Sequence, residues 1–232
     1  MKDEIKARVD EEVAAWAYME HLPEVLEGYQ LQRDMRVAGD VYDLFSYENK
    51  EARRGLTVYF HEETKEYKLR VHVGLTEFAR IECIAGDLSS FEALLQGNMQ
   101  HILAEMAHFS EENLSSLIRE KHLPDWEYGN ALPKTLEGFE LYISPKTPYQ
   151  ITNGSYIVFD YTDFSIRSNF TIYYNIYRDE FFGEARVVEV PEMNYDYDAK
   201  ELETLEVRLR EHLVPRLQDI RQRAEAILTA RN

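Results

Sequence analysis

His101, Glu105 and His108 are spaced four and three residues apart, which on a helix sets two imidazoles and a carboxylate along one side. These are ligand types for zinc or iron. The same stretch carries an apolar stripe through Ile102 and Met106, roughly a third of a turn away, so the three polar side chains fall at its solvent border. Histidine and glutamate are ordinary there. A structural role is the favoured reading, and the last helix of the chain offers His212 with no comparable triplet.

Arg53 and Arg167 form a second candidate, as matched arginines ahead of equivalent strands. A guanidinium in a fixed place can grip a carboxylate or phosphate of a ligand. It can equally clamp an acidic loop of its own chain, and with 43 acidic residues available that role is favoured. The run Phe170, Ile172, Tyr173, Tyr174, Ile176, Tyr177 is apolar on both strand faces, so both should be covered, one by a helix and the other by a sister unit or a second chain. It lacks the interleaved basic residues of a base-stacking platform. Asp196 and Asp198 are too few for a calcium site, and Asp198 reads as a helix cap with Glu201 three residues on. Cys83 lies in an alternating strand pattern as a small buried hydrophobe. Phosphate-binding glycine loops, nucleophile elbows, zinc-protease helices and paired C-x-x-C motifs have no match, and no cofactor is assigned.

The elements that must position these residues occur twice. LPEVLEGYQL, from Leu22, returns as LPKTLEGFEL, from Leu132, with six of ten positions identical. Phe45, Tyr47, Arg53, Thr57 and Tyr59 return as Phe159, Tyr161, Arg167, Thr171 and Tyr173, each 114 positions further on. Such self-similarity marks two copies of one supersecondary unit. The expected unit is a helix, about four antiparallel strands and a helix, giving an α+β protein built as a tandem, pseudo-twofold duplication. Its units are residues 1–109 and 110–232, with 110–131 as linking helix and loop.

In the first copy, Ile5, Val9, Val13 and Trp16 fall at helical spacing. Strands follow at Tyr29 to Gln32, Val41 to Tyr47, Gly55 to Phe60, Tyr67 to Val73 and Phe78 to Ile84, the last two separable only by a turn or bulge at Gly74. Asp87, Ser89 and Glu92 mark the start of a long apolar-striped helix, Ser89 and Glu92 having capping-box spacing. In the second copy, an insert with Pro145, Pro148, Asn153 and Gly154 precedes strands at Tyr156 to Tyr161, Asn169 to Tyr177 and Phe181 to Val190. A polar loop from Glu192 to Asp198 leads to a last helix, which Pro215 should kink or split. Gly28 and Gly138 match at a turn requiring positive φ.

Composition narrows the function classes. The net charge of −17 disfavours nucleic acid and anionic membrane surfaces, and suits a basic protein or peptide partner or plain solubility. No apolar run reaches membrane-span length and the first twenty residues are too charged for a signal peptide, so the cytoplasm is the expected compartment. With 16 Tyr and 11 Phe, the core must be largely aromatic. The reading that follows is a non-enzymatic binding or regulatory protein of adaptor, chaperone or inhibitor type, its aromatic face also suiting a homodimer. The alternative is an enzyme, or a small-ligand or metal protein, with its site where the two repeats join.

Overall fold

The computed structural model describes residues 1–151 and 154–231. The chain divides into two compact units, Met1–Phe109 and Ser110–Asn232. Each holds one seven-stranded antiparallel sheet with helices, so the protein is α+β with two similar units. Seven strands replace the four or so expected, because strands of two or three residues in each unit, and the last strand of the second unit, carry no recognisable strand pattern. No helix among the described residues is long and apolar enough to cross a membrane.

In the first unit, helix α1 (Asp3–Ala14) and a 3-10 turn (Ala17–His21) precede strands β1 (Val25–Leu26), β2 (Tyr29–Gln32), β3 (Arg36–Ala38), β4 (Val41–Asn49), β5 (Arg54–His61), β6 (Glu66–Val73) and β7 (Thr76–Ala85), then helix α2 (Leu88–Ala107). Strand order is β1-β2-β4-β5-β6-β7, with β3 pairing β4. Alternation dictates the faces. Tyr67, Leu69, Val71 and Val73 on β6 are fully buried, and Tyr67 packs against Phe91 of α2. Lys68, Arg70 and His72 face the other way and are half-buried. Helix α1 buries Val9 and Val13, and its Asp10 accepts from the Tyr42 hydroxyl at 2.5 Å. Asp87, not Ser89, caps α2, accepting from the Ser90 amide at 2.9 Å.

The second unit replays this order. Short helices α3 (Ser116–Glu120) and α4 (Glu127–Asn130) precede β8 (Thr135–Leu136), β9 (Phe139–Ile143), β10 (Tyr149–Gln150), β11 (Ser155–Asp163), β12 (Ser168–Asn175), β13 (Glu180–Val187) and β14 (Val190–Ala199). Helix α5 (Leu202–Arg231) closes the unit. The strand order β14-β13-β12-β11-β9-β8, with β10 pairing β11, mirrors the first sheet step for step. The irregularities match too. Leu44 in β4 and Val158 in β11 are extra residues at the same bulge, and the last two strands of each sheet slip register at equivalent positions. The second core joins Phe159, Tyr161, Phe170, Ile172, Tyr174 and Phe181 to Leu205, Leu209, Leu213 and Leu217 of α5.

Three further sequence expectations are corrected. The stretch from Glu192 to Asp198 lies within β14 rather than in a loop, so Asp198 is a strand residue and not the cap of α5. Phe181 to Val190 is two strands meeting at a tight turn, with Val188 and Glu189 at φ 47° and 71° where the first unit uses Gly74. Pro215 does not split α5, which runs unbroken for 30 residues. Asn153 of the insert lies outside the described residues.

The two recurring motifs are joined by a hydrogen bond. Tyr47 donates its hydroxyl to the Pro23 carbonyl at 2.7 Å, and Tyr161 to the Pro133 carbonyl at 2.6 Å. A buried tyrosine needs such an acceptor, which explains why the L-P and F-x-Y signatures travel together. Beside them, Glu27-Gly28 and Glu137-Gly138 take matching left-handed turns, with glycine at φ 82° and 83°.

Candidate functional site

The helix-free face of the first sheet concentrates titratable groups. Glu48 on β4 pairs with Gly55 on β5, and Gly55 with His72 on β6. All three therefore stand in one row on one face. With no side chain between them, Glu48 Oε2 and His72 Nε2 approach to 3.3 Å over the glycine. A Cβ on Gly55 would lie 2.6 Å from Glu48 Oε2 and from His72 Cε1, and 2.7 Å from the Tyr47 carbonyl oxygen. Burial pushes the Glu48 carboxyl up to about 7, and burial, then the Arg70 charge, holds the His72 imidazole below its ordinary value. Each group is thus driven toward its neutral form. A neutral carboxyl beside a neutral imidazole is an arrangement suited to general acid–base work or to a polar ligand. One row along, Arg70 pairs with Asp43 at 2.8 Å and lies 4.9 Å from the centre of the Tyr59 ring.

Gly55→Ala is expected to separate this pair and lower stability by about 1–3 kcal/mol, because one of the opposing atoms is backbone and cannot step aside. Chemical denaturation checks the loss.

The second sheet uses the same positions oppositely. The row equivalent to Glu48, Gly55 and His72 is Thr162, Asn169 and Arg186, and the next holds Asp160, Thr171 and Glu184. Asp160 is 1% exposed. Its carboxylate accepts from Thr162 Oγ1 at 2.7 Å, Thr171 Oγ1 at 2.8 Å and Asn169 Nδ2 at 3.0 Å. Burial outweighs these donors and pushes its pKa up to about 6. The aromatic strand beside it is covered on both faces, with Phe170, Ile172, Tyr173 and Tyr174 all buried, while Ile176 beyond its end is half-buried and Tyr177 exposed.

A groove of about 580 Å³ lies in the second unit between α4 with its following loop and α5. Its walls are Ala131, Leu132, Pro133 and Leu136 on one side and Leu209, Leu213 and Val214 on the other, with Glu127, Glu206 and Arg210 among the polar lining. Arg210 is held by Glu206 at 2.6 Å and stacks over Tyr128 with its guanidinium carbon 4.5 Å from the ring centre. Tyr128 and its neighbour Trp126 repeat Tyr18 and Trp16, whose rings stack at 5.3 Å. In the first unit the glutamate equivalent to Glu206 is Glu92, which accepts from Trp16 Nε1 at 2.8 Å.

The residues singled out in the sequence lie elsewhere. His101 Nε2 is 3.1 Å from Glu105 Oε1 on α2, while the other Glu105 oxygen faces Arg80 at 3.4 Å. His108 is the C-terminal cap residue of that helix, exposed beyond the last turn. Arg53 and Arg167 occupy the same left-handed turn position, at φ 53° and 49°. Arg167 pairs with Glu189 at 3.2 Å, an acidic residue of the neighbouring turn, and its carbonyl accepts the Glu189 amide at 2.9 Å. The Arg53 carbonyl accepts the Gly74 amide at 3.0 Å. Cys83 is a buried thiol pushed up to about 11 by its surroundings.

Beyond the Glu48–His72 row and the Asp160 cluster, sequence reasoning missed two groupings. The groove draws on residues some eighty positions apart, although the repeated W-x-Y ahead of each L-P motif was a readable pointer to one wall. A cluster of Asp40, His61 and Glu63, with ligating atoms within 4.8 Å of one another, is assembled by adjoining turns and carries no spacing signature. No protein-family model, no curated protein and no solved structure matches the chain.

Proposed function

We propose that the protein is a non-enzymatic binding or regulatory protein that receives a basic, apolar-anchored segment of another protein in the groove beside α5. What supports the reading is that groove. An apolar wall of leucine, proline and valine is lined also by Glu127 and by Glu206, whose carboxylate is shared with Arg210, in a chain of net charge −17. Apolar side chains of a partner would fill it, and flanking Lys or Arg would meet the glutamates, the charges setting on-rate and selectivity. The single buried cysteine suits a reducing compartment such as the cytoplasm.

Short peptides combining Leu or Phe with Lys and Arg are the test ligands. They are expected to bind the full chain and to lose affinity as salt is raised. Val214→Arg, at the mouth of the groove, should weaken them roughly tenfold or more without loss of thermal stability. Binding indifferent to both salt and Val214→Arg would remove the reading. A second reading, an enzyme or small-ligand protein, is favoured by the Glu48–His72 pair over Gly55 and places its site on the first sheet.

A further inference from the structure

We propose that Asp40, His61 and Glu63 form a binding site for a divalent transition-metal ion of the zinc or nickel kind. The three sit where β4 begins and β5 ends. Val41 pairs with His61 in the ladder, and the Glu62 amide donates to the Asp40 carbonyl at 2.8 Å, so sheet hydrogen bonds fix the backbone at Asp40 and His61, with Glu63 following two residues on in the turn. One imidazole and two carboxylates are a donor set for zinc and its neighbours. Metal–donor bonds of about 2.1 Å require donors roughly 3–3.5 Å apart. His61 Nε2 and Asp40 Oδ2 already stand 3.2 Å apart, and all three ligand atoms lie within 4.8 Å of one another. Asp40 and Glu63 are exposed, so rotation of their side chains closes the remainder.

The far side of the imidazole is also provided for. Thr64 lies on that side, its amide N–H donating to His61 Nδ1 at 3.4 Å and its Oγ1 standing 3.2 Å from the same nitrogen. Metal binding at Nε2 moves the ring proton to Nδ1, which then donates to Thr64 Oγ1 in place of accepting the amide, the outer partner a ligating histidine requires. The sister unit shows that the turn does not need these residues. Its equivalents are Gly154, Asn175 and Tyr177, and there the Asn175 side chain accepts the turn amides of Tyr177 and Arg178 at 3.0 Å. His61 Nδ1 takes the Thr64 amide as Asn175 takes that of Arg178, while the carboxylates of Asp40 and Glu63 have no counterpart in the sister turn, where Gly154 and Tyr177 stand.

The sister unit also supplies the variant. His61→Asn copies the Asn175 turn while removing the ligand nitrogen. Titration of tag-free, chelator-treated full chain with zinc or nickel chloride by calorimetry should give one ion per chain, with a dissociation constant on the order of micromolar. His61→Asn should weaken it tenfold or more, as should Asp40→Asn combined with Glu63→Gln, with unchanged melting temperature in the absence of metal. His101→Ala with His108→Ala should leave it within about twofold. The proposal is overturned by the absence of zinc and nickel binding, by His61→Asn binding like the parent, or by loss of binding in the His101/His108 variant.

Discussion

Asp160→Ala is expected to destabilise the second unit by about 2–4 kcal/mol, among the largest effects of any single polar substitution in the chain. Asp160 is fully enclosed and is the acceptor around which Thr162, Thr171 and Asn169 are arranged. Alanine leaves a buried amide and two hydroxyls to find new partners where water does not reach. The carboxyl also carries a pH signature. Its folded pKa, raised to about 6, lies above the ordinary value of 3.8. The folded state therefore holds the proton more tightly, and this contribution is fully present below 3.8 and lost as pH rises through about 6. A shift of about two units corresponds to about 3 kcal/mol over the whole range, of which about 1–1.5 kcal/mol falls between pH 5 and 7.5. Asp160→Asn has no proton to lose. Urea denaturation of the parent and of Asp160→Asn at the two pH values should thus show the parent losing the larger amount toward pH 7.5. Parallel losses would mean that Asp160 does not titrate in this range.

The second large effect is expected at Gly183. A Cβ there would lie 2.8 Å from Cδ2 and 3.2 Å from Cγ of Tyr197, a fully buried ring that packs at 4.7 Å on Phe170. Gly183→Leu cannot share that space with the tyrosine. The expected cost is about 3 kcal/mol, seen as a fall of roughly 10 °C in the melting temperature of the second unit. In the first unit the same two positions carry Leu69 and Cys83, both fully buried. A large residue on the inner strand faces a small one on the edge strand there, and the sizes are exchanged in the second unit. Close-packed cores tolerate such exchanges when the summed volume is kept.

Much of this architecture could be read from the chain because each copy marks the same structural necessities. Tyr47 and Tyr161 recur because each hydroxyl must reach a proline carbonyl of the preceding motif, and Gly28 and Gly138 recur because each turn is left-handed. Strand β6, with Tyr67, Leu69, Val71 and Val73 facing the helices, is legible because one face is dry and the other wet. Strand β14 was not legible. As an edge strand it exposes Val190, Met193 and Tyr195 and carries Pro191, Glu192, Asn194 and Asp196, a loop-like composition. Its turn was hidden as well, since Val188 and Glu189 adopt positive φ where glycine would have announced it.

The candidate sites were less legible for a different reason. Helical spacing gathers His101 and Glu105, but Arg80, which shares Glu105, comes from a strand 25 positions away. The Glu48–His72 pair depends on Gly55 being empty, which is visible only once three strands are in register. Arg167, a matched arginine at the level of sequence, pairs with an acid of its own unit.

If the cores of the two units correspond position for position, the double variant Gly183→Leu with Tyr197→Cys writes the Leu69–Cys83 pair of the first unit into the second. Equilibrium denaturation of the parent, both single variants and the double variant completes a double-mutant cycle. The correspondence predicts that Tyr197→Cys alone is costly because it leaves a cavity, and that the double variant is more stable than either single one, with a favourable coupling of about 2 kcal/mol or more. Strictly additive losses would contradict it.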